Sequence, residues 1–116
     1  MNRRSLGTEY EQRAAQWLEQ RGYEIREKNF RGGGAEVDLI AEEGGYLVFV
    51  EVKYRKDAQK GWGMEAVDSR KQQRIIRAAR VYLARHYTYQ DIPCRFDVVS
   101  FCGEEITLVK NAFEVS

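Results

Sequence analysis

The stretch Glu36-Val37-Asp38-Leu39-Ile40-Ala41-Glu42-Glu43-Gly44-Gly45-Tyr46-Leu47-Val48-Phe49-Val50-Glu51-Val52-Lys53 decides the architecture. Residues 36–41 and 46–52 are both strand-like, and a Gly-Gly pair lies between them. Two glycines accept the positive φ angles of a tight hairpin turn, so the stretch reads as two antiparallel strands. With Gly44-Gly45 as a two-residue loop, Asp38 stands directly opposite Glu51, and Glu36 opposite Lys53. Residues so opposed hold their Cβ atoms about 4.5–5.5 Å apart. Side chains alternate along a strand, so Glu51 and Lys53 continue the face of Leu47 and Phe49. Charges that follow an apolar run onto a covered face are costly unless paired. An internal salt bridge or a strand end emerging into water would explain a lone Glu-x-Lys. The facing Asp38 shifts the balance toward function, because two carboxylates that close repel unless a proton or cation lies between them. Donors limited to carboxylate, backbone carbonyl and water, without sulfur or imidazole, favour Mg²⁺ or Mn²⁺ over zinc.

Upstream, residues 6–21 read as a helix, with Leu6, Tyr10, Ala14, Trp17 and Leu18 at steps of three and four, stopped by Gly22. Glu11 shares a face with Ala14, Ala15 and Leu18; spacing alone makes it a boundary residue. Residues 23–30 form a first strand, and Arg31-Gly32-Gly33-Gly34 a flexible loop. Downstream, residues 56–63 are a polar, glycine-bounded loop carrying Trp62. Ser69 or Asp68 caps a long helix to about Tyr87, with Gln72, Ile75, Ile76, Ala79, Tyr82, Leu83 and His86 as its core stripe. Residues 95–101 and 106–110 are two more strands. The order α-β-β-β-α-β-β predicts an α/β fold, a sheet flanked by helices.

The 116 residues suit one domain, and 43% hydrophobic content can build a core without disulfides. Cys94 and Cys102, with a single histidine, do not make a zinc site, and a reduced, cytoplasmic chain is the simpler expectation. No secretory h-region follows Arg3 and Arg4, and no apolar run approaches the roughly 20 residues of a membrane span. The net charge of +1 hides a polarised chain: residues 53–85 hold ten basic groups against three acids. Such a face suits a polyanion, although several of these residues also read as a solvated helix surface. Nucleic acid, DNA first, is the expected partner, with no membrane and with a homodimer allowed.

Asp38, followed by Glu51-x-Lys53 on the next strand, resembles the PD-(D/E)xK nuclease superfamily. More closely, the chain resembles the YraN-like family of small bacterial proteins. The likeness runs through Glu11 with Ala14-Ala15, Gly22-Tyr23, Asn29-Phe30-Arg31, residues 36–40 and 49–53, Arg55, Lys71-Gln72, Arg95-Phe96-Asp97-Val98-Val99 and Asn111-Ala112-Phe113. It implies a restriction-endonuclease-like mixed sheet and a metal-dependent nuclease site. In that site Asp38 and Glu51 resemble the metal-binding carboxylates, joined by the Val52 carbonyl and by Glu11 directly or through water. Lys53 resembles the lysine that orients the attacking water or takes its proton, and Gln72 an accessory site residue. Arg31, Arg55, Lys56 and Lys71 are candidate phosphate contacts. Val37 stands where Pro is common, and Tyr10 and Ala35 where related sequences usually carry glycine. A positive φ at Ala35 would cost strain.

The resulting expectation is phosphodiester hydrolysis, with branched or structured DNA the favoured substrate by analogy with the Holliday-junction resolvases of the superfamily. The rivals are a nucleic-acid-binding module with a dormant or partner-dependent site, and a protein-interaction adaptor anchored by Trp62. Binding of a divalent ion separates the first from the nuclease; nucleic-acid binding at low salt separates the second.

Overall fold

The computed structural model describes residues 3–55, 67–87 and 91–115, excluding the side chains of 3–7 and 55. Its first element, α1 (Arg3–Glu19), buries Ala14, Ala15 and Leu18. It closes at Gly22, which takes φ 91°. Tyr23 N–H donates to the Leu18 carbonyl (3.1 Å) and Gly22 N–H to that of Glu19 (3.2 Å). These paired bonds satisfy the last helical carbonyls and turn the chain directly into the sheet, where Tyr23 packs in the same core as Leu18.

Three antiparallel strands follow: β1 (Glu24–Gly32), β2 (Ala35–Glu43) and β3 (Tyr46–Arg55). The loop expected over 31–34 is tighter than the glycine count suggests. Arg31 and Gly32 pair with Glu36 and Ala35, leaving Gly33-Gly34 (φ 62° and 72°) as the turn. Ala35 is a buried, paired strand residue, and only Asn29 and Asn111 are non-glycine positions of positive φ among the described residues, so Ala35 carries no such strain. The second hairpin turns at Gly44-Gly45, with Glu43 facing Tyr46 and each pair in register back to Leu39–Val50.

Helix α2 (Ser69–His86) starts on Asp68, not Ser69: the Asp68 carboxylate accepts from Lys71 N–H at 2.9 Å. Its buried stripe is Ile75, Ile76, Ala78, Ala79 and Tyr82. His86 is exposed at the C-terminal turn, its ring 4.3 Å from that of Tyr82, so the expected stripe ends a turn early. The helix carries the chain to β4 (Cys94–Cys102), which lies parallel to β3, as a crossover connection allows. β5 (Glu105–Phe113) returns antiparallel to β4. The result is a five-stranded mixed sheet, ordered β1-β2-β3-β4-β5. One face holds α1 over Leu39, Ala41, Val48 and Val50; the other holds α2 over Val37, Ile40, Leu47 and Phe49. No described helix is long and apolar enough to cross a membrane.

At the end of the sheet where β3 and β4 begin, Asp97 is fully buried and fully satisfied. Its carboxylate accepts from Tyr23 Oη (2.7 Å), Arg95 Nε and Nη2 (both 2.9 Å) and Asn111 N–H (3.0 Å). Arg95 also reaches Glu43 at 2.7 Å. Asn111, at φ 54°, sits by the bulge where the β4–β5 register shifts between Phe96 and Val98. A hollow of about 500 Å³ opens beside this network, lined in part by Tyr46, Arg95, Asn111 and Phe113. Its arginine is already neutralised by two carboxylates, so the network is a structural tie.

Candidate metal centre

The β2–β3 ladder stops at Leu39–Val50, immediately before Asp38 and Glu51. Beyond that point β2 stays paired to β1 as far as Ala35, and β3 stays paired to β4 as far as Arg55. The two central strands therefore part company at the acidic pair. In place of a ladder bond, Asp38 Oδ2 accepts the Val52 N–H at 2.8 Å, which fixes the carboxylate in the gap.

A second irregularity aims Asp38. Val37 belongs to the core under α2 and Leu39 to the core under α1, so the strict alternation of β2 breaks at the residue between them. In the β1–β2 register Asn29 falls between Lys28–Leu39 and Phe30–Val37, level with Asp38, and has φ 55°. Asparagine tolerates the left-handed region better than other residues with a Cβ. Its side-chain amide favours the ionised form of Glu11.

Acids from both faces of the sheet converge on this gap. Glu51, 5% exposed, lies with Leu47 and Phe49 on the α2 face. Glu11 comes from α1 on the opposite face. Glu11, Glu36 and Asp38 each offer a carboxylate oxygen, and the three oxygens lie within 4.8 Å of one another. Asp38 lies close enough to both Glu11 and Glu51 to raise their affinity for protons, so it links the two faces. Burial and then the Asp38 charge push Glu11 up to about 7, against a downward pull from Asn29. Burial, followed by the hydrogen bond and charge of Asp38, pushes Glu51 up to about 9. Lys71 and Lys53 oppose that rise without cancelling it. The Lys71 ammonium is 3.4 Å from Glu51 Oε2, which taken alone suggests an ionised pair. Lys71 is 40% exposed and screened by water, whereas the Glu51 side chain is 5% exposed, so its burial and the neighbouring Asp38 charge act with little screening. The upward direction therefore prevails, and without a cation the cluster holds protons.

On the α2 face, Lys53 pairs in the parallel ladder with Ser100, a residue 1% exposed whose hydroxyl has no hydrogen-bond partner among the described residues. Buried hydroxyls are normally paired, so this orphan marks a polar position beside Lys53 that no described residue fills.

The structure thus brings together Glu11, Asp38, Glu51, Val52 and Lys53. Gln72 is half-buried near the start of α2, and its amide donates to the Val67 carbonyl at 2.9 Å, bracing the entry to the helix. Lys71, a candidate phosphate contact, stands 3.4 Å from Glu51 Oε2. Arg31 is exposed and pairs with Glu36 at 3.2 Å. Lys56, Trp62 and the side chain of Arg55 lie outside the described residues. Sequence reasoning missed Glu36 as a member of the acid cluster and Asn29 as its support. An asparagine inside a predicted strand was the available signal, since strands disfavour it.

Comparison with known proteins gives one consistent result. Residues 10–101 match the model of the uncharacterised protein family UPF0102. A UPF0102 protein of Lachnoclostridium phytofermentans is 46% identical over 114 residues, covering 98% of this chain and 97% of that protein. One from Fusobacterium nucleatum is 41% identical over 111 residues, covering 96% and 92%. The UPF0102 protein YraN of Escherichia coli is 40% identical over 111 residues, covering 95% and 85%.

Proposed function

The chain belongs to the uncharacterised protein family UPF0102, and on that premise we propose that it is a metal-dependent endonuclease of the PD-(D/E)xK type, acting on branched or structured DNA. The observation that carries this reading is Asp38, held in the strand gap by Val52 N–H, with carboxylate oxygens of Glu11, Glu36 and Asp38 within 4.8 Å of one another and the buried Glu51 next to them on β3. Three carboxylates from three elements, two of them forced toward protonation, are matched to a divalent cation better than to one another. The donor set is oxygen alone, which fits Mg²⁺ or Mn²⁺. Glu11, Glu36 and Asp38, whose oxygens lie within 4.8 Å of one another, would hold the ion, joined from β3 by Glu51 and the Val52 carbonyl. A cation bound there supplies Lewis-acid polarisation of the scissile phosphate and acidifies a coordinated water.

The chain's own groups have separable tasks. Lys53 lies on the face of Glu51 and near enough to lower its proton affinity. From there it orients the attacking water or takes its proton. Ser100 offers the adjacent hydroxyl for the same water or for the ammonium. Lys71 balances Glu51. The preference for branched DNA rests on analogy with junction resolvases.

The test is cleavage of linear, flapped and four-way DNA with Mg²⁺ or Mn²⁺, comparing wild type with Asp38→Ala and Lys53→Ala. The proposal expects metal-dependent cleavage that both substitutions abolish. Cleavage that survives both would place the reaction elsewhere. Absence of cleavage by wild type on every substrate, with binding intact, would leave a nucleic-acid-binding module.

A further inference from the structure

Outside the acid cluster, an open groove of about 440 Å³ is lined by Arg31, Gly32, Gly34, Ala35, Glu36 and Arg74. It lies between the tip of the β1–β2 hairpin and α2. We propose that this groove receives a backbone phosphate of the nucleic-acid substrate, one removed from the scissile phosphate, held between Arg31 and Arg74. The inference rests on the nuclease reading and adds Arg74 and an order of events to it.

The groove walls are pre-set. A Cβ added at Gly32 would meet Val81 Cγ1 at 2.7 Å, and one at Gly33 would meet Arg77 Cγ at 3.0 Å. The hairpin tip therefore sits directly on α2, at a distance that only glycine allows, and Arg74 faces the hairpin across a fixed gap. Arg74 is exposed and has no ion pair among the described residues. A guanidinium in that position is free to take two phosphate oxygens in its fork.

Glu36 joins the groove to the metal centre. It lines the groove, pairs with Arg31 at 3.2 Å, and offers an oxygen to the Glu11–Asp38 cluster. An unengaged Glu36 would repel a phosphate there. Arg31 can leave Glu36 for a phosphate at small cost, because the pair is exposed: the Arg31 side chain is 70% and that of Glu36 38% accessible. A cation that engages Glu36 removes the repulsion and releases Arg31 together, so metal and phosphate fill adjoining sites cooperatively.

The test is DNA binding by fluorescence anisotropy across about 50–200 mM salt, in Ca²⁺ and in EDTA. Each duplex phosphate contact contributes about 0.9 to the slope of log K against log salt. Arg74→Ala should lower the slope by about that amount, while Arg80→Ala, an exposed arginine of α2 outside the groove, should leave it unchanged. Glu36→Gln should tighten binding in EDTA, where Glu36 competes for Arg31 and repels the phosphate, and should not tighten it in Ca²⁺, where the cation already engages Glu36; a general charge effect would persist in both. Equal effects of Arg74→Ala and Arg80→Ala, with wild type binding DNA, would overturn the groove and leave the nuclease reading standing. Failure of wild type to bind any DNA would overturn both. Saturable binding of inorganic phosphate that depends on Arg74, with no change in the DNA salt slope, would mark a free-anion site and overturn the substrate assignment.

Discussion

Replacing Glu51 by Gln should flatten the dependence of stability on pH in the metal-free protein. Gln keeps the shape of the protonated acid and a donor toward Asp38. In the folded chain Glu51 is pushed up to about 9, chiefly by burial and then by Asp38, whereas an unfolded glutamate titrates near about 4.3. The native state therefore keeps a proton that the unfolded chain has released, and stability falls as pH rises between those values. Below the unfolded value both states are protonated and the penalty vanishes. One retained proton corresponds to about 1.4 kcal/mol per pH unit. Glu11 titrates at about 7, so above about pH 7.5 it is mostly ionised in both states and Glu51 dominates the difference. From pH 7.5 to 8.5 the wild type should lose about 1 kcal/mol that Glu51→Gln does not, or roughly 4 °C in Tm for a domain of this size. Scanning calorimetry of both proteins in EDTA at pH 7.5, 8.0 and 8.5 reads the effect. Parallel Tm curves, or a wild type that gains stability over this range, would refute the claim that the acid cluster is protonated without metal.

Two further expectations concern the frame around the site. Asp97→Ala removes the buried carboxylate that accepts four hydrogen bonds and leaves Arg95, 11% exposed, with half its compensation. It should cost about 3–5 kcal/mol in denaturant unfolding, and a loss under about 1 kcal/mol would contradict the tie described for this network. Asp68→Ala removes the cap on Lys71 N–H and should cost about 1 kcal/mol by thermal melting. Because α2 carries Lys71 and Arg74, a measurable loss in DNA affinity should accompany it.

The second hairpin was legible because two glycines admit few turn geometries, and a two-residue turn fixes register: Glu43–Tyr46 through Leu39–Val50 pair as the sequence predicts. The end of α1 was legible for a similar reason, since Gly22 accepts a φ that other residues resist. The extent of the first hairpin was not. Three consecutive glycines look flexible as a string, but Gly32 is held in the ladder and against Val81 by tertiary contact. Within the site, the hairpin arithmetic set Asp38 opposite Glu51, but the β2–β3 pairing ends at Leu39–Val50, one pair short of them, and Glu11 required the family resemblance because a helix face does not reveal what it reaches across. Glu36 escaped notice because the straight hairpin set it opposite Lys53. The departure of β2 from β3 after Leu39, with Asn29 at positive φ, sends it toward Glu11 and Arg31 instead.

Titration of Mn²⁺ into the metal-free protein at pH 7.5, by calorimetry in two buffers of different ionisation enthalpy, tests the metal centre most directly. Binding should be saturable, should release about one proton, principally from Glu51, and should disappear in Asp38→Ala. Binding that is unsaturable in wild type, or that survives Asp38→Ala with the same affinity and proton count, would contradict the centre built on Asp38.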